Sequence, residues 1–198
     1  MRPRDAALKR ALDLAVALSG LVLGGWLLVL GWCAARLSTG ESGFFRQARV
    51  GRHGRLFRVL KLRTMRSVPG GATTVTTATD PRITRVGAVL RRTKLDELPQ
   101  LWNVLVGDMS LVGPRPDVPG FADRLEGEDR IVLSVRPGIT GPATLNYTNE
   151  EALLAAQEDP ERYNRETIWP DKVRINRAYV EQWRLRDDLV YLWRTFRG

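Results

Sequence analysis

The feature that most constrains this chain is an apolar run near its start. Residues 14–35 are 22 consecutive positions without a charged side chain. As an α-helix the run would be about 33 Å long, which is enough to cross the hydrocarbon core of a bilayer. A buried helix of a soluble protein seldom has so long an uncharged stretch, so the sequence predicts membrane association.

Three placements of this run are open. A cleaved signal peptide fits the basic start of the chain and the small residues at 33–35, although its apolar region would be long. A simple spanning helix should have Lys and Arg on one flank, whereas here both flanks are basic. A helix that breaks midway, and enters and leaves on the same side, reconciles the length with the charges. Gly20, Gly24 and Gly25 supply a weak point for the break, although Gly24 and Gly25 would also suit close packing of another helix.

The charge balance of the chain indicates an anionic partner. Its 198 residues, enough for one domain with a core, include 31 Lys and Arg against 22 Asp and Glu, a net charge of +9. Nucleic acid, anionic lipid and a phosphorylated substrate are all anionic partners that a basic protein would attract. The single cysteine, Cys33, excludes an intrachain disulfide and a cysteine-cluster metal site, and the single histidine, His53, argues against a histidine zinc site.

After Gly40 the hydrophobic period changes from that of a helix to that of strands. Residues 44–50 and 56–65 are strand-like and are separated by a glycine-containing turn, which predicts a β-hairpin. The second strand ends with Lys61 and Arg63 on one face, either as a solvated pair or as a phosphate contact. Residues 69–80, which include two adjacent glycines and five threonines, predict a loop.

Two further segments have the period of amphipathic helices. Residues 83–92 combine apolar side chains at helical spacing with arginines on the polar side, as on a helix at a membrane surface or on an exposed helix of a basic soluble protein. The last third of the chain is helical in pattern. Its terminal stripe consists of Leu189, Leu192, Trp193 and Phe196. This stripe fits either the membrane interface or the core.

The central stretch is residues 93–105, where two adjacent carboxylates, Asp96 and Glu97, precede an apolar helical stripe. The spacing predicts a helix with Pro99 in its first turn and Asp96 near the N-cap. Asp96 is then either an ordinary cap, with Glu97 a favourable first-turn charge, or an ionised nucleophile beside a bound phosphate. The second carboxylate, about 100° around the helix, would be free to hold a divalent cation against the same phosphate.

Two proline-containing loops each hold an arginine. Arg115 lies between Pro114 and Pro116, and Arg136 precedes Pro137. Because proline fixes φ, such a loop presents a guanidinium at little ordering cost, which suits bidentate recognition of phosphate. Each loop is equally compatible with a purely structural turn.

Several motifs occur in the order seen in a known enzyme family. They are Lys9-Arg10 with Asp13 ahead of the apolar run, KLRTM at 61–65, LDELPQLWNVL at 95–105, GDMS at 107–110, VGPRP at 112–116 and RPGITG at 136–141. Together they extend over nearly the whole chain, and they resemble the bacterial sugar transferases called monotopic phosphoglycosyl transferases. Any one motif is weak, whereas six in sequence are specific.

The resemblance implies an α+β, mostly helical fold, with a re-entrant membrane helix at 1–40, a small β-hairpin, and a cytoplasmic catalytic domain at 41–198 with amphipathic interfacial helices. It implies an enzyme on the cytoplasmic face of the bacterial inner membrane that transfers a sugar 1-phosphate from a UDP-sugar to undecaprenyl phosphate and releases UMP. This would be the first membrane step of polysaccharide or glycoconjugate synthesis. The implied partners are these two substrates and anionic inner-leaflet lipid, not nucleic acid, and a homodimer is left open.

The resemblance also implies roles for individual residues. Asp96 matches the family's nucleophile, which would form a covalent aspartyl-phosphosugar, and Glu97 matches the adjoining acid associated with Mg²⁺. The cations that would serve the substrate phosphates are Lys61, Arg91, Arg115 and Arg136. Asp188 falls where the family places another active-site acid, so the resemblance places it in the same phosphate-binding site as these cations.

Two departures from the family pattern concern the membrane helix and the sugar. Gly25-Trp26 stands where members often have Ser-Pro, and glycine allows a kink without forcing one. Residues 142–150 replace a tryptophan-containing stretch found in many members, so the identity of the sugar is open. The competing hypothesis is a membrane-tethered basic module that binds anionic lipid or nucleic acid without catalysis.

Overall fold

The structure, a computed structural model, describes residues 3–67 and 80–197. Its first element, helix α1 (Pro3–Thr39), is apolar and long enough to cross a membrane. The backbone stays helical through Gly20, Gly24 and Gly25. The helix is therefore not interrupted at these glycines, since glycine permits a kink but does not impose one as proline does.

The glycines of α1 instead make room for neighbouring side chains. A Cβ atom at Gly20 would lie 2.7 Å from Leu101 Cδ1, and one at Gly24 would lie 3.5 Å from Leu98 Cδ2. A Cβ atom at Gly25 would meet no atom of the described residues within 4 Å. Glycine is thus needed for close packing at Gly20, whereas Gly24 would allow an ordinary side-chain contact and Gly25 is open.

The predicted β-hairpin is confirmed, with one strand shorter than expected. Strand β1 (Phe44–Val50) pairs antiparallel with β2 (Leu56–Leu62). β2 ends before residue 65, because Met65 forms an isolated bridge with Ile83 rather than continuing the ladder with β1. All but the last residue of the predicted loop at 69–80 lies outside the described residues.

Two short helices follow and contact α1. Helix α2 (Arg85–Arg92) begins after Thr84, whose Oγ1 accepts a hydrogen bond from the Gly87 amide at 2.9 Å. Helix α3 (Gln100–Val106) ends at Gly107, whose φ of +95° suits glycine. The predicted amphipathic helix is thus confirmed as α2.

The second half of the chain contains another small sheet and several helices. Strands β3 (Ser110–Val112) and β4 (Gly138–Thr140) pair in parallel. The helices are α4 (Pro142–Asn146), α5 (Glu150–Ala155), α6 (Pro160–Tyr163), α7 (Trp169–Glu181) and α8 (Leu185–Arg197). Tighter or wider helical turns cover Arg52–Gly54, Leu95–Glu97, Ala122–Arg124, Gly127–Ser134 and Asn164–Ile168. The helical last third is confirmed.

A shared core joins α1 to the rest of the protein. Its buried residues are Ala17, Val59, Val104, Met109, Leu111, Val112, Tyr179 and Val180. A second cluster joins Ala35 of α1 to Leu62 and Leu90. α1 therefore packs against the same body at two places along its length.

The terminal helix α8 turns part of its apolar stripe outward. Leu189 and Trp193 are 50% and 56% exposed, and the Arg197 guanidinium lies 4.4 Å from the Trp193 ring centre. The residue that α8 buries most completely is Asp188. The interpretation that the stripe packs into the core is therefore wrong for Leu189 and Trp193.

Candidate active site

The two central carboxylates, which we call the dyad, lie in a tight turn ahead of α3. Asp96 and Glu97 belong to a 3-10 turn, Leu95–Glu97, that follows Lys94 in the left-handed region at φ +58°. α3 starts only after Pro99, so the prediction that Asp96 lies near its N-cap is wrong. The reason is that proline has no N–H for the helical ladder, and i→i+3 hydrogen bonds close this segment instead.

Asp96 is a buried carboxylate with an unused oxygen. The residue is 8% exposed, and its Oδ1 accepts no hydrogen bond from any described residue. Burial raises the pKa of Asp96, and the charges of Lys61, Arg91 and Arg115 oppose that rise. A buried acceptor left unpaired is costly, so this oxygen indicates a place where a ligand completes the site.

Glu97 holds two of those cations in place. Its Oε1 accepts hydrogen bonds from Lys61 Nζ at 3.0 Å and from Arg115 Nη2 at 2.5 Å. Burial alone would raise the pKa of Glu97, but the charges of Arg115 and Lys61 outweigh it and hold that pKa well below its usual range. Glu97 therefore stays ionised and fixes both cations beside Asp96.

Arg91, on α2, lies within electrostatic range of the dyad. Its charge lowers the pKa of Asp96, its guanidinium pairs with the Glu151 carboxylate of α5, and its Nη1 lies 3.8 Å from Met65 Sδ. Three of the four cations predicted to serve phosphates are thus brought together at the dyad.

Arg136, the fourth of these cations, does not join the group. Its Nε donates to the Gly107 backbone oxygen at 2.8 Å, and the charges that act on it are those of Arg10, Arg52 and Asp13. These contacts correspond to the structural-turn interpretation of its loop. Because both arginine loops have the same local pattern, only the tertiary fold distinguishes them.

Asp188, like Arg136, is bonded to residues outside the dyad. It is 1% exposed and accepts hydrogen bonds from Lys9 Nζ at 2.6 Å, Tyr179 OH at 2.8 Å and Trp183 Nε1 at 3.1 Å. These bonds join the start of α1 to α7 and α8. In the described residues Asp188 contacts neither member of the dyad, and its position is that of a structural acid.

The structure adds charged residues that the sequence analysis did not single out. Burial raises the pKa of Asp117 to about 6, against the opposing charges of Lys172, Arg49 and Arg115. Lys172 Nζ pairs with the Glu150 carboxylate at 2.6 Å. These residues come from positions far apart in the chain, so no local spacing could have shown that they meet.

The dyad offers ligands that suit one divalent cation. Glu97 Oε2 and Asp96 Oδ1 accept no hydrogen bond from the described residues. Within residues 3–67 and 80–197, no group of three or more His, Cys, Asp or Glu could form a complete protein cage. Mg²⁺ usually binds through one or two carboxylates and completes its shell with water and substrate phosphates. The donor set therefore fits Mg²⁺ together with a phosphorylated substrate.

Comparison with known proteins gives the family. The profile of the bacterial sugar transferase family matches residues 4–198. The exopolysaccharide production protein ExoY of Sinorhizobium fredii is 32% identical over 211 residues, which cover 98% of this chain and 86% of that protein. The UDP-glucose:undecaprenyl-phosphate glucose-1-phosphate transferase of Caulobacter vibrioides is 37% identical over 191 residues, 94% of this chain and 67% of that protein. The UDP-galactose-lipid carrier transferase of Erwinia amylovora is 34% identical over 205 residues, 95% of this chain and 39% of that protein.

The family match and the site agree in chemical type. The match includes every residue of the dyad and its cations. Cations around a reacting group stabilise the charge that develops when a phosphorylated group is transferred. This chain therefore belongs to the bacterial sugar transferase family and is a phosphoglycosyl transferase.

Proposed function

We propose that this enzyme transfers a sugar 1-phosphate from a UDP-sugar to undecaprenyl phosphate, releases UMP, and so begins a polysaccharide or another glycoconjugate at the membrane. The observation that carries the proposal is the unpaired Oδ1 of Asp96, buried beside three cations. The substrates are suggested by the relatives, of which one is named for UDP-glucose and undecaprenyl phosphate and another for UDP-galactose and a lipid carrier. A non-catalytic basic module is not favoured, because the family consists of transferases.

The reaction divides into two displacements at one phosphorus atom. In the first, a carboxylate oxygen of Asp96 attacks the phosphorus that carries the sugar. A new P–O bond forms, the bond to the UMP oxygen breaks, and UMP leaves with the bonding electron pair. In the second, an oxygen of the lipid phosphate attacks the same phosphorus, and Asp96 leaves as a carboxylate. Neither displacement transfers a proton, so an ionised Asp96 needs no partner base.

The cations allow a negatively charged nucleophile to approach a phosphate. Lys61 and Arg115, fixed by Glu97, would bind oxygens of the diphosphate, and Arg91 would bind them from α2. Glu97, through Oε2, would hold Mg²⁺ together with the substrate phosphates. When bound, this ion supplies further positive charge to the phosphate oxygens.

The contacts of α1 support a placement in which both of its ends lie on the cytoplasmic face. Near its start Lys9 is bonded to Asp188, and near its end Ser38 Oγ lies 3.2 Å from Thr84 Oγ1. Along a continuous helix Lys9 and Ser38 are about 44 Å apart. A helix perpendicular to the bilayer would put them on opposite sides, where one catalytic body could not contact both. In this proposal α1 stays within one leaflet, and the enzyme is monotopic.

The helices beside α1 have surfaces that suit the lipid interface. Val89 of α2, and Trp102 and Val106 of α3, are about half exposed. Arg92 and Lys94 are exposed near them in the chain. Apolar side chains that enter the headgroup region, with cations for anionic lipid, are typical of interfacial helices. In this arrangement the dyad would lie near the lipid phosphate.

The substitution Asp96→Asn tests the function. It keeps the side-chain shape but removes the attacking carboxylate, so UMP release from UDP-glucose or UDP-galactose with undecaprenyl phosphate should fall about 10⁴-fold. Asp187→Asn is the matched control, because Asp187 is a partly exposed carboxylate whose ion pair is with its neighbour Arg186. Near-normal turnover by Asp96→Asn would contradict the proposed function.

A further inference from the structure

A second group of charged side chains adjoins the dyad and has no role in the two displacements. We call it the lateral cluster. It consists of Arg49, Asp117, Glu150 and Lys172. Arg115 is common to both groups: it lowers the pKa of Asp117, and the charge of Glu150 contributes, after that of Glu97, to raising the pKa of Arg115 itself. The lateral cluster therefore lies within electrostatic range of the reacting groups.

Strand β1 fixes one side of the lateral cluster. Arg49 Nη1 donates to the Pro116 backbone oxygen at 3.1 Å, and the Val50 amide donates to the Asp117 backbone oxygen at 2.8 Å. The segment that follows Arg115 is thus held against β1. The position of the Asp117 side chain is set by the same backbone that positions Arg115.

Helices α5 and α7 fix the other side. Lys172 Nζ donates to both oxygens of Glu150 at 2.6 Å and lies 5.6 Å from the centre of the Tyr147 ring. The Tyr147 hydroxyl donates to Asp171 Oδ2 at 2.8 Å. A cation, a carboxylate and an aromatic ring are thereby held together at this edge of the site.

Hydrogen-bonding groups in this region are left unused. The partly exposed Asp117 carboxylate has no hydrogen bond and no ion pair with the described residues. Thr144 Oγ1, one turn before Tyr147, is buried and also lacks a partner. Because buried polar groups in native proteins are normally paired, Thr144 Oγ1 indicates a ligand that forms hydrogen bonds, and the unpaired Asp117 carboxylate is open to a further hydrogen bond.

The charges of the lateral cluster select the kind of ligand. Two acids and two bases nearly cancel, whereas a phosphate needs net positive surroundings and a divalent cation needs net negative ones. A neutral ring with several hydroxyl groups both donates and accepts hydrogen bonds, and it finds both kinds of partner here. The sugar is also bonded directly to the phosphate that Asp96 attacks, so its binding site must adjoin the dyad.

We propose that the lateral cluster binds hydroxyl groups of the transferred sugar. The carboxylates of Asp117 and Glu150 accept hydrogen bonds from the sugar, and Arg49 and Lys172 donate to it. This inference rests on the proposed function, because it takes the reacting phosphate to carry a sugar. It makes the four residues determinants of which sugar is transferred.

The first test removes one sugar hydroxyl and one protein carboxylate in combination. The donors are UDP-glucose or UDP-galactose, whichever the wild type uses better, and its deoxy analogues at each free ring position. For at least one deoxy analogue, the kcat/KM of the wild type should be about tenfold or more below its value with the parent donor. Asp117→Asn should use that analogue almost as well as it uses the parent donor, because the variant already lacks the contact. Asp187→Asn should behave as the wild type with every donor.

If no analogue shows this coupling in either Asp117→Asn or Glu150→Gln, while both variants retain cooperative thermal unfolding, the inference is overturned. Failure of the proposed function looks different. In that case the wild type releases no UMP from any UDP-sugar.

The second test uses UMP, which contains the nucleotide but no sugar. Measured without donor or lipid acceptor, UMP should bind the wild type, Asp117→Asn and Lys172→Met with the same Kd within about twofold, since a lost sugar contact leaves nucleotide affinity unaffected. A rise in the Kd for UMP equal to the rise in KM for the donor would mean that the lateral cluster binds the nucleotide, and would overturn the inference.

Discussion

Arg115 Nη2 donates to Glu97 Oε1 at 2.5 Å, so an arginine from a proline-bounded loop is fastened to the acid beside the proposed nucleophile. A lysine in place of Arg115 would keep the positive charge but lose the planar guanidinium, which can bind a carboxylate and a phosphate at the same time. We expect Arg115→Gln to lower kcat/KM for UMP release about 10²–10³-fold, as for loss of one donor to a developing charge, and Arg115→Lys to lower it less.

Arg136→Gln is the informative comparison, because this arginine occupies a similar loop but bonds the Gly107 backbone oxygen. It should lower the thermal unfolding temperature and leave the KM for the UDP-sugar within about twofold of wild type, since the lost bond is internal to the protein. A large rise in KM without loss of stability would restore Arg136 as a phosphate ligand.

The pair between Arg91 and Glu151 must open if Arg91 is to bind a substrate phosphate. Glu151→Gln should therefore lower the KM for the UDP-sugar about two- to fivefold and leave kcat unchanged, because a partly exposed ion pair contributes up to about 1 kcal/mol. Glu158→Gln, an exposed acid beyond α5, serves as the control in steady-state assays. A higher KM for Glu151→Gln would show instead that Glu151 holds Arg91 in its productive position.

Asp117 should make folding stability depend on pH. Burial raises its pKa from 3.8 to about 6 in the folded protein. A carboxyl with a raised folded-state pKa stabilises the fold below the unfolded pKa, and this contribution is lost as pH rises through about 6. Asparagine stays neutral, so Asp117→Asn should be more stable than wild type at pH 8, by about 1–3 kcal/mol.

The difference between Asp117→Asn and wild type should shrink towards zero as the pH falls to about 3, below both pKa values. Thermal unfolding in one detergent from pH 3 to pH 8 measures it. A variant less stable than wild type at pH 8 would mean that the charged carboxylate is paired.

The membrane placement predicts where a tag at residue 1 is accessible. Lys9 and Asp13 near the start of α1 are bonded to residues of the catalytic body, Lys9 to Asp188 and Asp13 to Ser110 Oγ at 3.1 Å. In intact cells the tag should be protected, and in inverted membrane vesicles it should be reached together with a tag at the end of the chain. Labelling only from the periplasmic side would refute the monotopic arrangement.

Local features of the fold were predictable because local spacing determines them. The alternation around the glycine turn identifies the β-hairpin, and helical spacing identifies α2 and the helical last third. The dyad was identified from its adjacent carboxylates. The turn that carries it was not, because the N-cap pattern of Asp96 fits an α-helix until the missing N–H of Pro99 is taken into account.

Tertiary contacts decide the features that local spacing could not. Lys61 and Arg63 share a strand face in the sequence, but Lys61 meets Glu97 whereas Arg63 pairs with Glu41. The lateral cluster brings together positions 49, 117, 150 and 172, which no sequence period connects. The charge of a residue is visible in a sequence, whereas its partner is set by the fold.

The most direct measurement is the intact mass of the protein after incubation with UDP-glucose or UDP-galactose, without lipid acceptor. The wild type should gain the mass of one sugar phosphate on the peptide that contains Asp96, and should lose it when undecaprenyl phosphate is added. Asp96→Asn should gain no mass. An active wild-type enzyme that never carries the adduct, or carries it on another residue, would contradict a covalent role for Asp96.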